Sequence, residues 1–360
     1  MDLPRSASEN DNSEYLDLIS CLPLSTISYA FAYGSGAIQQ QNEKKEDKMV
    51  DYILATDKPH QFHQDNIRLN PSHYSLVRLL GHKTVARMQQ NWAARVYYNT
   101  HVRVGKRLIK YGVISTDDLK CDLLDWRWIY VAGRLHKPVL DVISPSSSIA
   151  DNLVDNRRSA LQAALLLLPD TFSATELFCA IVGLSYTGDF RMIVGEDVNK
   201  INKIVAGNYE QLKSLYIPLL ADDSRLLVKS NETIQQDAST PAIYHRLNLL
   251  PSEVLQRLQK SYYKIYRRQR DMEEMLFSLA HQHNVGSSVS SALSAIVAPV
   301  AISQTMKNFL SAGLTKSWLT HLGRNRIITS PSPVAAAAPT LRTTYAPEPG
   351  IGLSPTRPGI

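Results

Sequence analysis

The chain of 360 residues is 44% hydrophobic and 20% charged, which suits a globular protein with a sizeable core and excludes a wholly disordered one. Its 39 Lys and Arg against 33 Asp and Glu leave a formal net charge of +6, favouring an anionic partner: nucleotide, nucleic acid or acidic lipid. Cys21, Cys121 and Cys179 are far apart with no CxxC spacing, which argues against a disulfide framework or zinc site and fits a reducing compartment.

In chain order, residues 1–14 are polar and expected to lack structure; they are neither a secretory signal nor an Arg-rich presequence. Next comes an aromatic-rich apolar run, 29–33, that breaks at Gly34-Ser35-Gly36, as a strand ending in a tight turn does. Such glycines let a backbone approach a ligand closely, and a Ser hydroxyl with backbone N–H groups can hold phosphate oxygens. A highly charged loop, 39–48, leads to a second strand that places Asp51 inside an apolar run; a charge there needs a partner or a metal. A Gly-Ser turn followed by an acidic strand is the core arrangement of nucleotidyltransferases.

Lys58-Pro59 ends that strand, and His60 and His63 follow at a spacing that suits either metal ligation or an ordinary helix surface. Residues 76–90 read as an amphipathic helix, 94–98 and 107–115 as strands, 117–125 as a helix with an acidic first turn, and 129–139 as a strand and cationic turn. From Asn152 the pattern is helical: an apolar helix at 157–168 closed by Pro169, a capping box Ser173–Glu176 opening another, a loop at 185–191, and more helix at 199–216. Short helices of this kind predict a small helical, winged-helix-like domain.

Residues 252–282 interleave Lys260, Lys264, Arg267, Arg268 and Arg270 with Tyr262, Tyr263 and Tyr266, which suits a nucleic-acid face, a membrane-surface helix or a solvated one. Residues 289–326 form a weakly basic amphipathic stretch. No apolar run reaches the roughly 20 residues that span a bilayer: 160–168 stops at Pro169 and 289–302 is interrupted by Pro299. Beyond Ser330 the Pro-, Ala- and Thr-rich tail is expected to be disordered. The expected organisation is an α+β nucleotidyltransferase domain with a mixed sheet at 15–148, the winged-helix-like domain at 149–245, basic and amphipathic helices at 246–329, and the tail at 330–360.

Several blocks together resemble one family. They are Tyr33-Gly34-Ser35-Gly36, Asp51-Tyr52-Ile53 through Asp57, Asn70 with His73-Tyr74-Ser75, and Lys110-Tyr111-Gly112-Val113-Ile114. They continue as Ala132-Gly133-Arg134-Leu135 with Lys137-Pro138, Leu184-Ser185-Tyr186, Gly188-Asp189-Phe190-Arg191-Met192, Gly195-Glu196-Asp197 and Leu293-Ser294-Ala295-Ile296-Val297. In this order, over roughly 27–313, they are similar to the mitochondrial translocator assembly and maintenance proteins, which are mitochondrial CDP-diacylglycerol synthases (phosphatidate cytidylyltransferases).

The resemblance implies Mg²⁺-dependent transfer of CMP from CTP to phosphatidic acid. It would release pyrophosphate and supply cardiolipin synthesis from the matrix side of the inner mitochondrial membrane, by a peripheral enzyme with no nucleic-acid partner. It assigns Asp51 as the main metal ligand, Gly34 and Ser35 to the phosphates, and Lys110, Arg134 and Lys137 to the triphosphate or lipid phosphate, with Arg191 and Lys200 reaching in. Asp51, Ser35 and Lys110 carry the catalytic assignment. Nucleotidyltransferases usually place two carboxylates two apart on one strand; position 53 here is Ile, so Asp57, Asp122 or Asp125 is expected as second ligand, with Asp57 preferred. The 289–326 stretch is expected at the membrane interface. A nucleotidyltransferase acting on RNA ends, or a membrane adaptor on an inactive transferase fold, are the competing readings.

Overall fold

The computed structural model describes residues 9–38, 48–194, 199–229, 232–267 and 270–328. Strands β1 (Ile27–Tyr33) and β2 (Val50–Thr56) turn Tyr29, Phe31, Ile53 and Ala55 to one face and Ala30, Ala32, Tyr52 and Leu54 to the other, all buried. Because strand side chains alternate, burial on both faces is what makes these strands read as unbroken apolar runs.

With β3 (Tyr97–Val104), β4 (Arg107–Ser115) and β5 (Leu140–Ile143) they form a five-stranded sheet in the order β3-β4-β2-β1-β5. The β2–β4 pair is parallel and the other pairs are antiparallel. A parallel pair requires a crossover, here α2 (Pro59–Leu69), α3 (His82–Asn91) and β3.

One face is covered by α1 (Glu9–Ile19), whose Tyr15, Leu18 and Ile19 pack there with Phe62 of α2. Residues 9–14, expected to lack structure, are thus helical: the apolar stripe at 15, 18 and 19 has a core to bury, and Glu14 pairs with Arg107 at 3.0 Å. The opposite face carries α4 (Thr116–Asp125), α5 (Ala132–Leu135), α6 (Ser147–Leu167) and α7 (Ala174–Gly183), the last opened by the expected Ser173–Glu176 capping box.

After α8 (Arg191–Val194), α9 (Lys200–Gly207) and α10 (Tyr209–Ala221), a hairpin of β7 (Leu226–Val228) and β8 (Thr233–Gln236) pairs with β6 (Thr171–Ser173) in the order β6-β8-β7. This second sheet is antiparallel throughout. The chain continues through α11 (Thr240–Asn248), α12 (Ser252–Tyr266), α13 (Met272–Ala280) and α14 (Val285–Ile328).

The architecture is α+β with a mixed sheet, as the sequence predicts. Met1–Trp318 form one compact unit, and one hydrophobic cluster runs from Tyr29 of β1 to Val297 of α14. The anticipated boundary at 148/149 falls in the first turn of α6, and that at 245/246 inside α11. The second unit, Leu319–Ile360, is described only to Ile328, as helix; the tail expected at 330–360 lies outside the described residues.

Three local expectations are corrected. Residues 76–90 are two elements, a 3-10 turn at Leu76–Leu80 and α3, separated by Gly81 at φ +83°. Residues 129–139 hold no strand: Trp126 and Ile129 take positive φ, and the chain closes into α5. Finally, Pro299 does not interrupt α14, whose Val285–Ser311 stretch of 27 residues contains an 18-residue window of mean hydropathy 1.7 and is long and apolar enough, by length and composition, to cross a bilayer. In the fold, Val289, Leu293, Ile296 and Val297 of this helix pack into the core.

Candidate active site

Register builds the site. Pairing sets Tyr33 opposite Asp51 across β1–β2 and Asp51 opposite Lys110 across β2–β4, so the end of β1, the start of β2 and the middle of β4 converge. Asp51 Oδ1 lies 3.0 Å from Lys110 Nζ, both side chains about a quarter exposed (27% and 24%). Burial alone would depress the Lys110 ammonium, but Asp51, with Tyr33 and Tyr130, outweighs it and holds the pKa above the ordinary lysine value. Asp51 Oδ1 is engaged by the Lys110 ammonium, but a carboxylate carries more lone pairs than one ammonium contact uses, so the group keeps acceptor capacity.

The Gly34-Ser35 turn stands beside it. Gly34 takes φ +77° and a Cβ there would lie 3.9 Å from Asp51 Oδ2, while Ser35 is exposed. The turn closes on itself through the Gly34 carbonyl, which accepts from the amides of Ala37 and Ile38. Helix α1 braces it from behind: the Tyr15 hydroxyl is 3.2 Å from both the Gly36 and Ala37 carbonyls.

The predicted cations gather on the same side. Lys110 Nζ sits 4.8 Å from the Tyr98 ring, and the Arg134 guanidinium 4.0 Å from Tyr130 and 5.3 Å from Tyr33. Cation–π contacts of this kind contribute about 0.5–2 kcal/mol each and fix the cations in space. Arg134 is held further by its Nη1 donating to the Tyr130 carbonyl at 2.6 Å. Lys137 and Lys200 both approach the Tyr186 ring, at 4.9 and 5.2 Å. Burial, reinforced by Arg134 and Lys200, pushes the Lys137 pKa down. Arg191 is clamped by the buried Asp189 through Nε–Oδ1 at 3.0 Å and Nη2–Oδ2 at 2.5 Å, and its charge reaches Tyr130 and Arg134.

Two devices bring these segments together. Gly133 lets α5 meet the Ser185-Tyr186 turn so closely that a Cβ would stand 2.3 Å from the Ser185 Cβ. On the other flank Asn156 of α6 donates to the Ala132 carbonyl and accepts from Trp126 Nε1 at 2.8 Å, fixing α5 behind Arg134.

The other carboxylates are elsewhere. Asp57 follows the far end of β2, six residues from Asp51 and therefore about 20 Å away, too far to share a metal with it. Asp122 is buried and accepts from five backbone amides, those of residues 128–132, at 2.8–3.1 Å, so it organises the loop before α5. Asp125 accepts from Ser252 Oγ at 2.8 Å, tying α4 to the start of α12. His63 is buried between the Tyr74 hydroxyl and Gln89, while His60 is exposed, so the two do not form a metal pair. Among the described residues no group of three or more His, Cys, Asp or Glu is placed to hold a metal.

Gly195-Glu196-Asp197 lies outside the described residues. Sequence reasoning missed Tyr98, Tyr130 and Tyr186 as cation supports; Tyr186 lies in a block that matched the family and Tyr130 two residues before another, whereas Tyr98 lies outside every such block. The Tyr- and Lys-rich face of α12 lines a separate groove of about 600 Å³ with Arg257 and Arg270.

The family model described as "Phosphatidate cytidylyltransferase, mitochondrial" matches residues 15–323. Curated proteins of that name are 62% identical in Caenorhabditis elegans (84% of this chain, 95% of that one) and 41% identical in Xenopus laevis (81% and 87%). The Homo sapiens protein of that name is 39% identical (82% and 68%). A solved nucleotidyltransferase-like protein from Exiguobacterium sibiricum 255-15 aligns over 87% of this chain and 77% of its own at 11% identity and TM-score 0.21, too slight a likeness to argue from. With the Gly-Ser turn, Asp51 and the cation cluster in the matched region, the chain belongs to the mitochondrial phosphatidate cytidylyltransferase family.

Proposed function

We propose that the chain catalyses transfer of CMP from CTP to phosphatidate, giving CDP-diacylglycerol and pyrophosphate. In this reaction a phosphatidate oxygen bonds to the α-phosphorus of CTP as the bond to the pyrophosphate oxygen breaks. Two anions must meet and a third must leave, so the protein's task is alignment and neutralisation. The observation that carries the proposal is the convergence of Lys110, Arg134, Lys137, Arg191 and Lys200 on the face where Asp51 meets the Gly34-Ser35 turn.

In this reading Gly34 and Ser35 receive the triphosphate, and Lys110 and Arg134, fixed over tyrosine rings, offset charge that grows on the leaving pyrophosphate. Lys137 and Lys200 flank Tyr186 where the second anion enters. Mg²⁺ fits the donor set as an ion shared with the nucleotide: one carboxylate, Asp51, stands beside the Gly34-Ser35 turn with acceptor capacity beyond its Lys110 contact, and Mg²⁺ commonly takes one or two carboxylates plus substrate phosphates. When bound, it would neutralise phosphate charge during transfer.

The same proposal sets the enzyme in mitochondria, peripheral on the matrix side of the inner membrane and feeding cardiolipin synthesis. The exposed part of α14 around Ile302, Met306, Phe309 and Leu310 lies at the interface. The test is incubation of the protein with labelled CTP, Mg²⁺ and either phosphatidate or RNA. Label in CDP-diacylglycerol, with pyrophosphate released in equal amount, supports the proposal; label transferred to RNA, or none transferred to lipid, overturns it.

A further inference from the structure

A set of outward-facing apolar residues lies where two distant segments touch. In the 3-10 turn Leu76–Leu80, Leu76, Leu79 and Leu80 are 77%, 75% and 67% exposed. Ser75, which caps that turn, donates from Oγ to the carbonyl of Leu310 at 3.5 Å, so the turn adjoins the stretch of α14 where Ile302, Met306, Phe309 and Leu310 are also exposed. Burying such side chains in water-free surroundings is strongly favourable, and a soluble protein rarely displays so many in one patch without a partner.

Charge identifies the partner. No Asp or Glu occurs between Asp65 and Asp117, a stretch with nine Lys or Arg, and none between Glu274 and Glu348. The patch sits within both acid-free stretches, and Arg68, Lys83 and Arg87 around it are exposed. Leucines at the tip with cations behind them match the depth profile of an anionic bilayer, apolar inside and negative at the head groups.

The patch is also coupled to the site. Gln304 of α14 donates to the Val96 carbonyl at 3.2 Å and accepts from the Ala94 amide at 3.1 Å, anchoring α14 to the chain just before β3, the strand whose Tyr98 supports Lys110.

We propose that the Leu76–Leu80 turn is a membrane-inserting element which, with the adjoining face of α14, seats the protein on an anionic bilayer. It rests on the lipid-substrate reading only in explaining why a bilayer is needed. The experiment uses the full chain, Leu76→Asp/Leu79→Asp/Leu80→Asp, and Leu227→Asp as an exposed-leucine control on β7. Flotation with phosphatidylcholine vesicles carrying phosphatidate measures binding. Turnover is measured on the same vesicles and on short-chain phosphatidate below its micellar concentration.

The triple variant is expected to bind vesicles at least tenfold more weakly and lose vesicle turnover by a similar factor, while short-chain turnover stays within twofold and Leu227→Asp behaves as wild type. Vesicle binding equal to wild type overturns the proposal and leaves the patch to a protein partner. Loss of both activities with unchanged melting temperature and vesicle binding also overturns it. If wild type turns over neither substrate, the function falls, while flotation still decides the patch.

Discussion

At the scale of single residues, the site depends on cations held at fixed positions by rings and carboxylates. Lys110 answers Asp51 on one side and Tyr98 on the other, so truncating it removes charge without opening a core. Lys110→Ala should lower the rate of CDP-diacylglycerol formation by about 10²–10³, the usual cost of losing one aimed electrostatic contact, measured as kcat at saturating CTP. Arg134 is planar and lies over Tyr130 and Tyr33, a geometry that an ammonium does not reproduce. Arg134→Lys should therefore raise KM for CTP roughly tenfold, the equivalent of about 1.4 kcal/mol, with melting temperature little changed. An unchanged KM would mean that Arg134 faces something other than nucleotide.

At the scale of elements, the loop between α4 and α5 is organised by one buried side chain. Asp122 gathers five amides and carries the chain through positive φ at Trp126 and Ile129 to deliver Arg134. Asp122→Ala leaves those donors buried and unpaired, and should cost about 3–5 kcal/mol of stability by denaturant titration. Loss of activity at full stability would mean that Asp122 acts in the chemistry itself.

This carboxylate also shows what the sequence could and could not disclose. The strands around Asp51 were legible because apolar runs ended at Gly34-Ser35-Gly36 and at Lys58-Pro59. Lys110, Arg134, Lys137 and Arg191 were legible because they lay in blocks that matched a family; Lys200 lay outside them. Asp122 was not separable from a metal ligand, since nothing local reports a carboxylate already saturated by amides, whereas the six-residue spacing of Asp57 from Asp51 along a strand already opposed a shared metal. The break at Gly81 was hidden inside an amphipathic pattern, and the fate of residues 9–14 depended on a sheet face assembled from strands far along the chain.

At the scale of the whole molecule, polar groups buried in the core give stability a defined pH dependence. His63, enclosed by α2, α3 and Tyr74 and facing His60, His82 and Lys307, is lowered to about 4, chiefly by burial. His136, beneath Trp126 and near Lys137, is lowered to about 3 for the same reason. Both are depressed below their unfolded value, so the unfolded chain takes up protons first and stability falls as pH drops from about 6.5 towards 4. His63 alone accounts for a loss on the order of 3 kcal/mol, and thermal melts of His63→Gln should show a flatter dependence over that window. A wild-type melting temperature constant from pH 6.5 to 4.5 would mean that both rings are solvated.

The division of labour along β2 offers the most direct test of the account. Asp51, at the start of the strand, faces Lys110 and the Gly34-Ser35 turn, whereas Asp57 follows its other end and is exposed. CDP-diacylglycerol formation should be measured for wild type, Asp51→Asn and Asp57→Asn at equal folded concentration. The account predicts that Asp51→Asn falls at least 100-fold while Asp57→Asn stays within about twofold of wild type. Retained activity in Asp51→Asn, or a collapse in Asp57→Asn, would contradict it.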